Sequence, residues 1–497
     1  MKKLTVWLLL CGMLLALLAG CVEKAPEQQE STETDEKGSV VVEEESYWMN
    51  PDLKLDKVDL NLGDVEVVLL AYNKYDISPE ESSSDPLEDA VYRRDDKLEN
   101  ELGIKFNSAY QSDHTMISTA IKNDVTAGTG EYHIVYQHMI EAAKGLAPGG
   151  YLYNLTDLEY VDFDQEWWDQ DCKKGFVIGD NMMMVCGDLL PSTMLITASV
   201  LFNKNIFEEY CWEYPYEDAR QGTWTLDDML DLTKDQTKDL NGDGKIFYAD
   251  DFFGVTAWAA DADFNLYYGT GATMFSYDED HLPVYDPDTD RLQEIYEKIY
   301  ALLIAQNSFH VTWAMYNTDN SMYNQTINVF RDGRALFFPT YLSVTTFLRD
   351  MVDDYGILPN PKYDEKQENY LGFVNGSASM ACVPGSLSDE NLEIAGFMME
   401  ALASSSYYMT TDTLYDVVAK SKNARDPESA EMVDVIIRHK VFDFGYAHYS
   451  NGDWPCFNIA QTALQANKTS IVKDITSYEK NTKKELKKIL KAYGYDD

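Results

Sequence analysis

The chain alternates between short apolar runs and stretches in which apolar side chains recur at helical spacing. Val65 to Ala71 is a nearly continuous apolar run, which is typical of a strand buried on both faces. The stretch from Leu87 to Leu102 places apolar residues on one helical face, and Gly103 should end that helix. Ile104 to Phe106 then begins another extended segment. This alternation predicts an α/β fold with mostly parallel sheets.

The alternation of apolar runs and helical spacing continues to the end of the chain. Further strands are predicted at Ile134 to Tyr136, Met182 to Val185, Val200 to Phe202, Phe253 to Val255 and Ala335 to Phe338. Strong helical periodicity surrounds Ile299 and Met398. Ser470 to Tyr493 combines spaced apolar residues with lysines and acids, which predicts an amphipathic surface helix rather than a membrane-binding one.

A different pattern occupies the amino terminus. Two lysines precede an apolar run from Leu4 to Leu18, which is too short for a spanning helix and is typical of a secretory signal. The run ends in Leu18-Ala19-Gly20-Cys21, which resembles the lipobox of bacterial lipoproteins. The resemblance implies that residues 1–20 are a signal peptide and that Cys21 becomes the lipid anchor on the extracytoplasmic face of the cell membrane. The alternative is an ordinary cleaved signal in which Cys21 is incidental.

Composition narrows the classes of function. The 497 residues carry a formal charge of -45, which opposes binding to nucleic acid or to anionic lipid. No second apolar stretch is long enough to cross a bilayer, so membrane contact should come only through the anchor. Residues 21–56 are polar and acidic, which predicts a flexible tether. The cysteines after Cys21 are odd in number and scattered, so no disulfide framework is indicated, and they are interpreted as small buried apolar residues, although one or two disulfides stay open.

One local motif has the spacing of a calcium-binding loop. Side-chain oxygens of Asp239, Asn241 and Asp243 fall at loop positions one, three and five, with the Lys245 carbonyl at position seven. Asp250 falls at position twelve, as in dockerin-type loops. Oxygen ligands in this register predict a structural Ca²⁺ ion. The alternative is a turn rich in Asn, Asp and Gly that binds no metal.

A helix start precedes this loop, with Thr225 as its N-cap and Asp228 three residues later. The segment Thr223 to Leu230 resembles the Thr-Trp-x-Glu-Leu helix start of the extracellular solute-binding proteins of ABC importers, particularly the class that includes maltose-binding protein. Other pieces follow in the order of that family: Gly149 to Leu155, Trp167-Trp168, Leu201 to Lys204, Phe330 to Phe337 and Tyr355 to Lys362. The resemblance rests on the order of these segments, and it covers nearly the whole mature chain.

The resemblance implies a type II periplasmic-binding-protein fold, in which two α/β lobes joined by hinge crossings close over a ligand. The amino-terminal lobe would comprise residues 57–188 and 384–442, and the carboxyl-terminal lobe residues 189–383 and 443–497. The crossings would lie near Met184 to Leu195, Ser379 to Pro384 and Asp443 to Tyr449. The protein partners would be ABC transporter permease subunits, and the chain itself would be a monomer.

Aromatic residues make up 13% of the chain, and their flat apolar faces suit sugar rings. Candidates for ligand contact lie at predicted strand ends or beside the crossings: Tyr72, Asn73, Gln137, His138, Asp188, Trp258, Tyr341 and Trp454. The structural alternative is core packing for the aromatic residues and a solvated turn for Asp188. The pair Trp167-Trp168 is interpreted as packing, because in the family such a pair usually anchors a loop.

The favoured function is capture of a small solute, a sugar or an oligosaccharide, by cleft closure. A lipid-anchored hydrolase acting on glycans is one alternative, but abundant acids are poor evidence for it, and no His-Glu-x-x-His or Gly-x-Ser-x-Gly motif is present. A calcium-dependent surface interaction protein is the other, and it rests on the dockerin-like loop. We therefore expect a binding protein rather than an enzyme, with a ligand that these patterns do not identify.

Overall fold

The computed structural model describes residues 62–419, 427–448 and 458–495, which form α/β layers as the sequence predicts. The strands are β1 (Glu66–Ala71), β2 (Lys105–Tyr110), β3 (Ile134–His138), β4 (Ala198–Asn203), β5 (Phe253–Trp258), β6 (Phe275–Tyr277), β7 (Pro283–Tyr285), β8 (Phe309–Val311), β9 (Ala335–Tyr341), β10 (Tyr355–Leu358), β11 (Gly372–Phe373), β12 (Ser379–Cys382) and β13 (Lys440–Val441). The α-helices are Pro86–Leu102, His114–Ala127, Met139–Glu141, Gln170–Phe176, Pro191–Leu195, Lys204–Glu209, Tyr216–Gln221, Leu226–Thr233, Ala259–Gly269, Thr289–Tyr300, Trp313–Thr318, Met322–Arg331, Asp389–Met409, Thr411–Ala419, Pro427–Arg438, Phe444–Ala447, Ile459–Gln465 and Val472–Ala492. None of the helices in this part of the chain is long and apolar enough to cross a membrane.

The first sheet has four strands in the order β12-β3-β1-β2. β1 pairs in parallel with both β2 and β3, and β12 pairs antiparallel with β3. The helix between β1 and β2 starts at the N-cap Asp85 and ends at Gly103, whose positive φ of 70° favours glycine. It buries Leu87, Val91 and Leu98, which lie on the face that the helical spacing predicts.

The second sheet has five strands in the order β10-β4-β9-β5-β8. β5 pairs in parallel with β8 and β9, whereas β4 pairs antiparallel with β9 and β10, so this sheet is mixed rather than mostly parallel. Every residue of β4, β5 and β9 is buried, which explains their continuous apolar sequences. Because β5, β8 and β9 run in the same direction, their carboxyl ends meet at one edge of this sheet.

Two segments run side by side between the sheets. Val185 forms an antiparallel bridge with Ala381 of the first sheet, and Thr197, next to β4 of the second sheet, bridges Val374. Residues 185–197 and 374–381 therefore connect the two sheets, close to two of the expected crossings. The predicted strand at Met182 to Val185 is wrong, because only single bridges form there and the methionine side chains fill the core instead.

A polar contact ties the first connection to the loop after β1. Ser192, in the short helix Pro191–Leu195, donates from its backbone N–H and its hydroxyl to the buried carboxylate of Asp76, at 3.0 and 2.7 Å. The Thr193 hydroxyl donates to the carbonyl of Ser379 in the second connection. These buried bonds fix the path of both connections relative to β1.

Three further expectations concern local structure. The amphipathic carboxyl-terminal helix is confirmed as Val472–Ala492, and the helix Leu226–Thr233 begins with a capping box between Thr225 and Asp228. No described cysteine forms a disulfide. Those at positions 172, 186 and 382 are buried as expected of small apolar residues, whereas Cys211 is exposed, so the expectation of burial is wrong for that residue.

Candidate ligand-binding site

The carboxyl ends of β1 and β3 lie at one edge of the first sheet, because the two strands are parallel neighbours. Tyr72 follows β1, and His138 is the last residue of β3. Their ring centroids are 5.3 Å apart, and His114, at the start of the helix after β2, lies 4.5 Å from His138 and 5.9 Å from Tyr72. Three rings thus gather at this edge, of which the sequence predicted Tyr72 and His138.

His138 is neutral in this setting. Burial lowers the pKa of His138 to about 3, and the neighbouring His114 and Lys144 add to the effect. Its Nδ1 atom has no hydrogen-bond partner within the described ranges. A neutral ring nitrogen at a strand end can donate to or accept from a ligand hydroxyl.

The other two candidates at this edge have structural roles. Gln137 is fully buried, and its amide donates to the Ser118 hydroxyl and the His114 carbonyl while its oxygen accepts the His138 N–H. The Asn73 side chain accepts the Tyr75 N–H and caps the short turn after β1. Both side chains position the ring residues beside them.

The corresponding edge of the second sheet carries a larger aromatic cluster. Trp258 ends β5, and its ring lies 4.9 Å from Trp313, 4.8 Å from Tyr316 and 6.1 Å from Tyr323. Trp313 begins the helix that follows β8, the parallel neighbour of β5. Trp258 is almost buried, but 38% of the Trp313 surface is exposed, so the cluster presents an aromatic face to solvent.

A buried acid sits beside this cluster. Asp261 lies in the first turn of the helix Ala259–Gly269, directly after β5, and its carboxylate makes no hydrogen bond to any described residue. Burial raises the pKa of Asp261 well above its usual range, and the neighbouring Asp263 adds to the shift. Asp263 is itself committed to His310, whose Nε2 lies 2.7 Å from its carboxylate.

Asp261 lies close to Tyr323 and Tyr341. Burial and then the charge of Asp261 raise the pKa of both tyrosines. Tyr341 ends β9, and its hydroxyl accepts a 2.6 Å hydrogen bond from the Asn375 amide in the second connection. The predicted ligand residues Trp258 and Tyr341 are thus brought together around a carboxylate that the sequence analysis missed.

Asp188 is not part of either edge. It lies with Trp167-Trp168 in a separate cavity of about 350 Å³. The interpretation of the tryptophan pair as packing is confirmed, because both rings are buried and both indole N–H groups donate to the Glu400 carboxylate at 3.0 Å. Trp454 and Cys21 lie outside the described residues.

The predicted calcium loop is exposed, and Asx turns hold it. The Asp239 carboxylate accepts the N–H groups of Gly242 and Gly244, and the Asn241 side chain accepts that of Asp243. The predicted ligands Lys245 and Asp250 also lie in this exposed segment.

The acid next to the predicted position-twelve ligand closes the loop through hydrogen bonds to backbone N–H groups. Asp251, rather than Asp250, turns back to accept the N–H groups of Leu240 and Phe247. Across the described ranges, no group of three or more His, Cys, Asp or Glu side chains is arranged to hold a metal ion. The calcium site therefore stays a prediction.

The chain was compared with protein-family models, curated protein sequences and solved structures, and only the solved structures match it. No protein-family model matches the chain, and no curated protein sequence matches it. Among solved structures, the chain is similar to a cyclo/maltodextrin-binding protein complexed with maltotetraose, with 14% identity, coverage of 85% of this chain and 97% of that one, and a TM-score of 0.55.

Two further structures give the same result. The maltose-binding periplasmic protein MalE from Listeria monocytogenes, in complex with maltose, is 15% identical over 85% of this chain and 99% of its own, with a TM-score of 0.54. An ABC transporter solute-binding protein from Agrobacterium radiobacter K84, in complex with ribitol, is 13% identical over 85% and 99%, with a TM-score of 0.51. The chain therefore has the two-lobed α/β fold of the periplasmic binding proteins.

Proposed function

We propose that this chain is the substrate-binding component of an ABC importer, and that it captures a sugar or an oligosaccharide by closing a cleft. The observation that carries the proposal is the aromatic cluster of Trp258, Trp313, Tyr316 and Tyr323 beside the unpaired carboxylate of Asp261. Aromatic faces cover the C–H faces of a sugar ring, and a carboxylate accepts strong hydrogen bonds from its hydroxyls.

The position of the cluster supports this assignment. In α/β folds, ligands bind beyond the carboxyl ends of the parallel strands. The aromatic cluster follows β5 and β8, and the ring group of Tyr72, His114 and His138 follows β1 and β3. The solved structures named above carry maltotetraose, maltose and ribitol, which are all polyhydroxylated ligands.

The proposal can be tested by isothermal titration calorimetry on the purified chain with a panel that includes maltose, maltotetraose and ribitol. For any member that binds, Trp313→Ala should weaken binding by about tenfold, which corresponds to about 1.4 kcal/mol. Asp261→Asn should weaken it as well, because the substitution replaces one carboxyl oxygen by an NH₂ group, which cannot accept a hydrogen bond from a sugar hydroxyl. Trp212→Ala removes a tryptophan that stacks on Tyr210 away from the cluster, and this control should keep the affinity of the parent.

Two outcomes would contradict the proposal. Trp313→Ala and Asp261→Asn binding every sugar as tightly as the parent would exclude this cluster as the site. Release of reducing sugar in a parallel hydrolysis assay would favour the alternative of a glycan-active hydrolase.

The same proposal includes the anchor and the ion. A lipid on Cys21 would hold the chain on the extracytoplasmic face of the membrane, where the polar segment 21–56 would tether it near the permease subunits. A Ca²⁺ ion in the loop from Asp239 to Asp250 would stabilise the folded state without contacting the ligand. The chain would act as a monomer.

A further inference from the structure

The Asp188 cavity is built from four segments far apart in the chain. Its volume is about 350 Å³, within the range of small-molecule sites, and residues from the ranges 166–174, 186–194, 411–415 and 437–440 line it. None of the residues at the two strand edges described above lines it. The Asp188 cavity is therefore distinct from the proposed sugar site.

Asp188 presents an unpaired carboxylate to this cavity. Its backbone N–H is bound to the Trp167 carbonyl at 2.9 Å, but its side chain makes no hydrogen bond with any described residue. Glycine at position 187 allows the backbone to pass close to Trp167, since a Cβ atom on Gly187 would lie 2.3 Å from the Trp167 carbonyl oxygen. Burial raises the pKa of Asp188 to about 7, against the opposing effect of Lys440.

The basic groups of the cavity do not neutralise Asp188. The Lys440 ammonium is committed to Asp169 at 2.7 Å, and the Lys174 ammonium lies 2.9 Å from Asp171. After these two ion pairs the lining retains two acids, Asp188 and Glu166, and two basic residues, His439 and the exposed Arg438. With His439 counted as neutral, one negative charge in excess remains, and the half-buried Asp188 is the acid whose side chain makes no hydrogen bond within the described ranges.

Apolar groups complete the wall. Trp168, Leu190, Pro191 and Leu414 line the same cavity and are buried. A ligand that fits must therefore combine one positive group, which donates hydrogen bonds to a carboxylate, with a short apolar body.

We propose that the Asp188 cavity binds a small organic monoammonium compound, with its ammonium group paired to the Asp188 carboxylate and its alkyl body against Trp168 and Leu414. A free metal cation fits less well, because among the described lining acids only Asp188 lacks a side-chain partner, whereas hard cations take several oxygen ligands. A neutral polyol would leave the excess charge of the cavity uncompensated.

The proposal is tested by calorimetry on the full chain with n-butylammonium chloride as the probe and 1-butanol as its neutral counterpart. We expect saturable one-to-one binding of n-butylammonium and no measurable binding of 1-butanol. Asp188→Asn keeps the shape of the side chain and removes its charge, and it should weaken n-butylammonium binding by about tenfold or more. Asp350→Asn, which removes an exposed acid outside the cavity, should leave binding unchanged.

A thermal melt of each variant checks that it is folded before the titration is interpreted. The proposal is overturned if the parent chain shows no saturable binding of n-butylammonium, or if 1-butanol binds equally well. It is also overturned if a folded Asp188→Asn variant binds n-butylammonium with unchanged affinity. Equal weakening by Asp350→Asn would assign the binding to the overall negative charge of the protein and would likewise exclude the cavity.

Discussion

Glu400 should make the stability of this protein depend on pH. It lies on the helix Asp389–Met409 and is fully buried, and its carboxylate accepts the indole N–H groups of Trp167 and Trp168. Burial raises the pKa of Glu400 to about 7, although the indole hydrogen bonds oppose the shift. The perturbation we choose is Glu400→Gln, which stays neutral at every pH and keeps the size of the side chain.

The size of the effect follows from proton linkage. Because the folded protein holds the Glu400 proton more tightly than the unfolded chain does, the stabilisation is fully present below the unfolded pKa of 4.5. It is lost as the pH rises through the folded pKa of about 7. Between pH 5 and pH 8, these two values correspond to a loss of about 2.5 kcal/mol in the free energy of unfolding.

Urea unfolding of the parent and of Glu400→Gln, at pH 5 and at pH 8, measures this difference. At pH 5 the two proteins should be similar in stability, because both side chains are neutral. At pH 8 the free energy of unfolding of the variant should exceed that of the parent by about 2.5 kcal/mol. Glu390→Gln, at an exposed position on the same helix, should show no such change. If Glu400→Gln keeps the full pH dependence of the parent, the Glu400 carboxylate is not the group whose titration changes the stability.

Three further outcomes are expected. Cys21→Ala should leave sugar affinity unchanged and reduce uptake by cells, because the tether raises the concentration of loaded protein at the permease; equal uptake by a released variant would disprove the role of the anchor. Chelation with EGTA should lower the melting temperature of the parent but not of Asp243→Ala. An unchanged melting temperature of the parent in EGTA would show that the loop is a turn that binds no metal. Trp224→Ala should lower the free energy of unfolding by about 3–5 kcal/mol in urea, because the ring is fully buried and its indole donates to the Pro359 carbonyl; a loss below 1 kcal/mol would contradict that packing.

Much of the fold could be predicted because buried strands and amphipathic helices each have a characteristic spacing of apolar residues along the sequence. β1, β5 and β9 have continuous apolar runs, and all three are central to their sheets. The strand predicted at Met182 to Val185 fails for a physical reason. An apolar run shows that side chains are buried, but only Val185 finds a backbone partner, while Met182 and Met184 fill the core.

The candidate site could be predicted only in part. Residues at strand ends, such as Trp258 and Tyr341, follow from the strands themselves. Asp261, His114 and Trp313 lie in the first turns of helices, and they join the strand ends only after the sheets assemble. The one available signal for Asp261 was an acid three residues after a buried strand, which is also common in ordinary helix starts.

Local sequence patterns do not reveal contacts between residues that are far apart in the chain. The bond between Trp167 and Glu400 joins residues 233 positions apart, and the cavity around Asp188 draws on four separate segments. Asp188 was expected beside a crossing, and it does lie on the segment between the two sheets. Its surroundings, which decide the ligand chemistry, depend on packing that no local pattern of residues encodes.

Small-angle X-ray scattering of the purified chain, alone and with a saturating sugar identified by calorimetry, tests whether the chain captures its ligand by cleft closure. Capture by cleft closure predicts one-to-one binding with a smaller radius of gyration in the bound state, and Asp261→Asn should need a higher sugar concentration to reach the same decrease. Binding without any change in the radius of gyration would contradict cleft closure. The absence of binding across a broad panel of sugars and polyols would contradict the proposed function itself.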